Sequence, residues 1–215
     1  MKRILALLAF VIFATSVSGA NSCGDTNHVC TLDTNISTST SFIDGNTYVL
    51  LQDINVTGSS TVLTIAPGAV IKPLANRSLI AIDGGRIVAN GTADKNIIFT
   101  SCKDQNSYTG STNADTSTVS GCSGATAFSD YNTGIWVRTA SGMTRSDSLS
   151  FLKILNAKVG IRLDQNIDSI HDSNFWHVGA TAAAFGINFV GGDANIYNNT
   201  FSDVNTGYGI NVANQ

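Results

Sequence analysis

The chain has 215 residues, 12 Lys and Arg against 15 acidic side chains, and a formal net charge of −3. That balance leaves no basic patch to collect phosphates, which excludes nucleic acid as an expected partner. Every acidic residue is Asp, and Asn, Ser, Thr, Gly, Ile and Val abound, which excludes a fold of long amphipathic helices and favours short strands and turns.

The first twenty residues have the form of an export signal: Lys2 and Arg3, an apolar run over residues 4–17, then Ser18-Gly19-Ala20. The run is shorter than the roughly 20 residues that a membrane-spanning helix needs, so no membrane span is expected after cleavage. The remainder is expected to be one secreted or cell-surface domain, with a capping segment at 21–45 followed by the main body at 46–215. Cys23 raises lipidation as a lesser reading, because Ala20-Asn21-Ser22 lacks the Leu and small-residue pair that usually precede such a cysteine.

Export makes Cys23, Cys30, Cys102 and Cys122 expected disulfide partners. No metal site is expected, since no Cys-x-x-Cys pair exists. Of the three connectivities, pairing by neighbourhood is the simplest, joining Cys23 to Cys30 and Cys102 to Cys122. The second bridge would close residues 103–121 of a polar excursion that spans 103–131, and stabilise by about 3 kcal/mol.

Ahead of that loop, YVLLQDINV, TVLTIAPGAVIK, SLIAIDGGRIVANG and KNIIFTSC read as strands. Gly68, Gly84, Gly85 and Gly91 punctuate them, and Pro67 and Pro73 stand at their boundaries. Beyond the loop a phrase returns four times, as GIWV from Gly134, GIRL from Gly160, GINF from Gly186 and GINV from Gly209, at spacings of 26, 26 and 23. A second phrase, LSFLKI, SNFWHV and NTFSDV, keeps step with it and places Phe151, Phe175 and Phe201 in one inward column. Alternating apolar residues within each phrase mark strands, and a period in the twenties marks a solenoid. Strands one period apart with no helix between them must be parallel, so the expected fold is all-β, a single parallel β-helix.

The run at residues 61–104 resembles the opening rungs of right-handed parallel β-helix proteins of the pectate-lyase-like superfold, of the bacterial surface or secreted type. Thr64, Ile65, Gly68, Ile71 and Lys72 match one rung. Gly85, Ile87, Ala89, Gly91 and Thr92 match the next, and Ile97, Phe99, Thr100 and Ser101 the third, with Asn96 where relatives often carry Pro. The resemblance implies right-handedness and export, and it implies function only weakly.

Polygalacturonase-like signatures (Asn-Thr-Asp, Asp-Asp, Gly-His-Gly, Arg-Ile-Lys) are absent, and no paired carboxylates suited to glycoside hydrolysis stand out. A polysaccharide lyase needs less: a base, here Arg162, His171 or His177, with calcium to neutralise an acidic substrate. The plainer account of those residues is a solvated face. Stacking the rungs about 4.8 Å apart gives an outward column of Trp136, Arg162, Asn188 and Asn211, with Arg138 and Asp164 placed to pair beside it. Such a stripe suits an extracellular polysaccharide or surface glycan, the indole stacking on a sugar ring and its neighbours hydrogen-bonding. Alternatively, Trp136 packs beneath the cysteine loop. A second outward column is expected from Lys153, His177 and Asp203.

The leading expectation is therefore a non-catalytic glycan-binding or adhesive module with no cofactor. The alternatives are an acidic-polysaccharide lyase, with calcium, and a structural stalk or assembly subunit. GINVANQ reads as the first strand of an unfinished rung, so the chain is expected to be truncated, with a continuation or a partner at its open edge.

Overall fold

The computed structural model describes residues 21–23, 28–179, 184–204 and 207–213. The segment at 1–20, expected to direct export, and Asn214 and Gln215 lie outside them.

The described residues form three sheets, visited in turn as the chain coils. Sheet A contains Asn21–Cys23, Val29–Leu32, Thr47–Leu50, Val70–Pro73, Ile97–Phe99, Leu152–Leu155, Asn174–Trp176 and Thr200–Ser202. Sheet B contains Ile54–Val56, Ser78–Ala81, Tyr131–Val137, Ala157–Leu163, Phe185–Phe189 and Tyr208–Val212. Sheet C contains Thr40–Phe42, Val62–Ile65, Arg86–Asn90, Ser148–Ser150, Ser169–His171 and Asn195–Tyr197. Each strand pairs in parallel with the strand one coil away, except Asn21–Cys23, which runs antiparallel to Val29–Leu32. This is a right-handed parallel β-helix.

The ladder already includes Val29–Leu32 and Thr40–Phe42, so the coil reaches back through much of the segment expected to cap it. Cys23 and Cys30 face each other across the antiparallel pair and are bridged, which leaves the Cys23 sulfur no place for a lipid. Cys102 and Cys122 form the second disulfide.

Alternate side chains from all three sheets point into one continuous core. Ile135, Ile161 and Ile187 stack from sheet B, and Ala89, Leu149 and Ile170 from sheet C. In sheet A, Phe175 and Phe201 stack with ring centroids 4.9 Å apart, but the rung before them is filled by Ile154. Phe151 does not join the ladder: it occupies the turn between sheets C and A at φ 51°. Asp172 and Asn198 hold the corresponding turns of the next two coils, at φ 52° and 55°.

The column expected from Lys153, His177 and Asp203 is likewise corrected. Lys153 lines up with Asn174 and Thr200, whereas His177 and Asp203 share the turn out of sheet A with Asn156, all at positive φ. The spacing misleads because coils differ in length at this turn. One residue separates Leu152–Leu155 from Ala157–Leu163, but residues 177–184 separate Asn174–Trp176 from Phe185–Phe189.

Candidate functional site

Sheet B presents the expected stripe. Trp136 is paired with Arg162, Arg162 with Asn188 and Asn188 with Asn211, and the column extends backwards through Ile80 and Asn55. Their neighbours Ile135, Ile161 and Ile187 are fully buried, so strand alternation turns the column outward. The Asn211 amide donates to the Asn188 side-chain oxygen at 2.8 Å, continuing the ladder as hydrogen bonds.

The contacts within the stripe differ from those expected. Asp164 pairs with Arg162 rather than Arg138, accepting from Arg162 Nε at 2.8 Å and from Trp136 Nε1 at 2.9 Å. The Arg162 guanidinium lies 4.3 Å from the Trp136 ring centroid and that of Arg138 lies 5.0 Å from it. The indole is thus a platform for two cations, an arrangement that fixes both guanidiniums by cation–π attraction and one of them by a carboxylate. Arg138 is exposed and makes no ion pair among the described residues.

The other expected candidates lie apart. His171 is on sheet C, its Nδ1 2.7 Å from Asp172 Oδ2 and its ring stacked on Tyr197 at 4.7 Å. His177 is in a turn leaving sheet A, its Nδ1 2.7 Å from Asn156 Oδ1 and its ring 3.6 Å from that of Phe128. Arg162 is on sheet B, committed to Asp164. The three sit on three separate faces, and none contacts another. Among the described residues, no three His, Cys, Asp or Glu side chains gather into a metal-binding group.

The cysteine loop packs on the outer face of sheet A, not over Trp136. Val49, Leu74 and Val119 surround its disulfide, and Tyr108 packs against Val70, Ile98 and Leu155. Its main anchor is Lys72, an outward residue of sheet A that the loop buries completely. Lys72 Nζ donates to the Asp104 carbonyl at 2.6 Å, the Ala114 carbonyl at 3.1 Å and Thr116 Oγ1 at 3.1 Å. Burial lowers its pKa to about 8, against the opposing charges of Asp104 and Asp115. The Asp104 carboxylate accepts from Thr100 Oγ1 and the Tyr108 hydroxyl, and burial followed by that bond pushes the phenol's pKa up. This anchor escapes a reading of strand patterns, although a lone Lys in an apolar strand was the available signal.

Residues 34–112 match the family model of the pectate-lyase like β-helix domain. Comparisons with curated proteins and with solved structures give no match. The matched segment ends before Tyr131, so it includes none of the sheet B stripe beyond Asn55 and Ile80. The family match thus accounts for the architecture and leaves the stripe to be read from its own chemistry: residues 34–112 form a pectate-lyase-like β-helix domain whose coil continues to Val212.

Proposed function

We infer that this chain is a secreted or cell-surface module that binds extracellular glycans, or adheres through them, without catalysis, and that the outer face of sheet B is its binding surface. The observation that carries this reading is the in-register column Trp136, Arg162, Asn188 and Asn211, with the exposed Arg138, which makes no ion pair among the described residues, over the Trp136 ring beside it. Guanidinium and amide donors spaced by one rung suit a chain of hydroxyls and acidic groups, and the rigid sheet holds them without further ordering cost. Two disulfides and the basic-then-apolar start of the sequence favour an oxidising compartment. Arg162, His171 and His177 lie on separate faces, so the lyase alternative rests on one of them acting without the other two.

Calorimetric titration with fragments of acidic polysaccharide tests this. Arg138→Ala is expected to weaken binding about tenfold, as loss of one charged contact does. Trp136→Ala is expected to weaken it at least as much, because both guanidiniums lose their platform. Unchanged affinity in both variants contradicts the assignment. A calcium-dependent rise in absorbance from unsaturated uronide products would replace it with a lyase.

A further inference from the structure

Sheet A carries a separate groove of about 380 Å³ beside the cysteine loop, lined by Asn106, Tyr108, Lys153, Leu155, Asn174 and Trp176. We propose that this groove is a second saccharide site, selective for a sugar unit bearing a carboxylate or sulfate. Trp176 supplies an aromatic platform. It is 42 % exposed although its neighbour Phe175 is fully buried, and its ring meets His177 at 5.0 Å. An indole held at a groove wall takes the C–H face of a pyranose.

Lys153 supplies the charge selection. Its ammonium lies 4.9 Å from the Tyr108 ring centroid and pairs with no carboxylate among the described residues. A single cation suits one acidic group and is too little for a polyphosphate. The wall also holds an unused acceptor, since the Asn174 side-chain oxygen is buried without a hydrogen-bond partner. A buried acceptor of this kind is completed by a donor such as a sugar hydroxyl. The opposite wall is fixed from behind: Tyr108 donates to Asp104, whose carboxylate also takes the backbone N–H of Asn106 at 2.9 Å. Lys72 pins the same loop to the sheet. Aromatic platform, cation and amides thus converge on one concave surface that does not include the sheet B stripe.

The chain has two tryptophans, which lets fluorescence separate the sites. In full-length Trp136→Phe, Trp176 is the sole indole and reports the groove; in Trp176→Phe, Trp136 reports sheet B. The Trp136→Phe protein is titrated with a galacturonic acid trimer, a sulfated galactose trimer and a plain galactose trimer. Saturable quenching is expected with one or both acidic trimers, about tenfold tighter than with the plain one. Adding Lys153→Gln is expected to erase that preference, and Lys153→Arg to retain it. Comparing the two acidic trimers tells whether carboxylate or sulfate is preferred. No quenching, equal affinity for charged and plain trimers, or a preference that survives Lys153→Gln overturns the groove site. Failure of the sheet B reading would appear separately, as no response in the Trp176→Phe protein.

Discussion

Gly160→Ala is expected to destabilise the protein by about 3 kcal/mol or more, in the range of severe overpacking. A methyl group at Gly160 would lie 2.5 Å from the Gly186 carbonyl oxygen and 2.6 Å from Cδ1 of Phe175. Neither neighbour can give way: one is ladder backbone, and the other is a buried ring stacked on Phe201. Gly186 repeats the geometry one coil on, where a methyl would meet the Gly209 carbonyl and the Phe201 ring at 2.6 Å. Gly160 and Gly186 are therefore required where sheet A aromatics press against sheet B, whereas a methyl at Gly134 would meet the Gly160 carbonyl at 2.6 Å and Ile154 only at 3.5 Å. Gly191→Ala is the control, because its nearest neighbour is the Asp164 carbonyl at an ordinary 3.4 Å. It is expected to change stability by less than about 0.5 kcal/mol. Urea denaturation of the two variants checks the difference, and equal midpoints would contradict the packing described.

Stability is expected to rise between about pH 8 and pH 10, against the common behaviour of a lysine that gains a partner. Lys72 has a folded pKa of about 8 and an ordinary value near 10.5. Between these values the unfolded chain holds a proton that the folded chain has released, so raising the pH favours folding. The full shift corresponds to about 3 kcal/mol, a cost carried below pH 8 and relieved as the buried ammonium loses its proton. Above about pH 10 the trend reverses. Burial holds the phenols of Tyr108 and Tyr131 protonated in the fold, while they ionise in the unfolded chain. In Lys72→Met the rise should vanish while the fall above pH 10 remains. Lys72→Met also leaves the acceptors at Asp104, Ala114 and Thr116 without their donor, so its effect at neutral pH combines relief and loss. Denaturation across about pH 7 to pH 11 checks both limbs, and a wild-type curve flat between 8 and 10 would contradict the buried anchor.

Sheet B was legible in the sequence because its information is local. Alternation inside each GI phrase sets which residues face out, and the return of the phrase itself, at 26, 26 and 23 residues, sets the register from Trp136 to Asn211. Sheet A was less legible because the variable insertion lies between sheets A and B. The interval from Ile154 to Phe175 is 21 residues, whereas aligning the second phrase on its Phe residues takes Phe151 to Phe175 at 24, and that alignment misplaced Phe151 and His177. Side-chain partnerships went unread for a different reason. Arg138 and Arg162 both reach Trp136, and one carboxylate cannot reveal from spacing which guanidinium it will hold. The docking of the loop on Lys72 depends on contacts across 32 and 44 positions of sequence, beyond any periodic pattern.

We propose that sheet B recognises glycans through cations fixed on Trp136. The most direct test of this proposal is retention of the intact protein on an array of extracellular polysaccharides, side by side with Arg138→Ala. The expected result is retention on acidic polysaccharides by the intact protein and its loss in the variant. Retention that is absent from every polysaccharide, or equal for the two proteins, would contradict it.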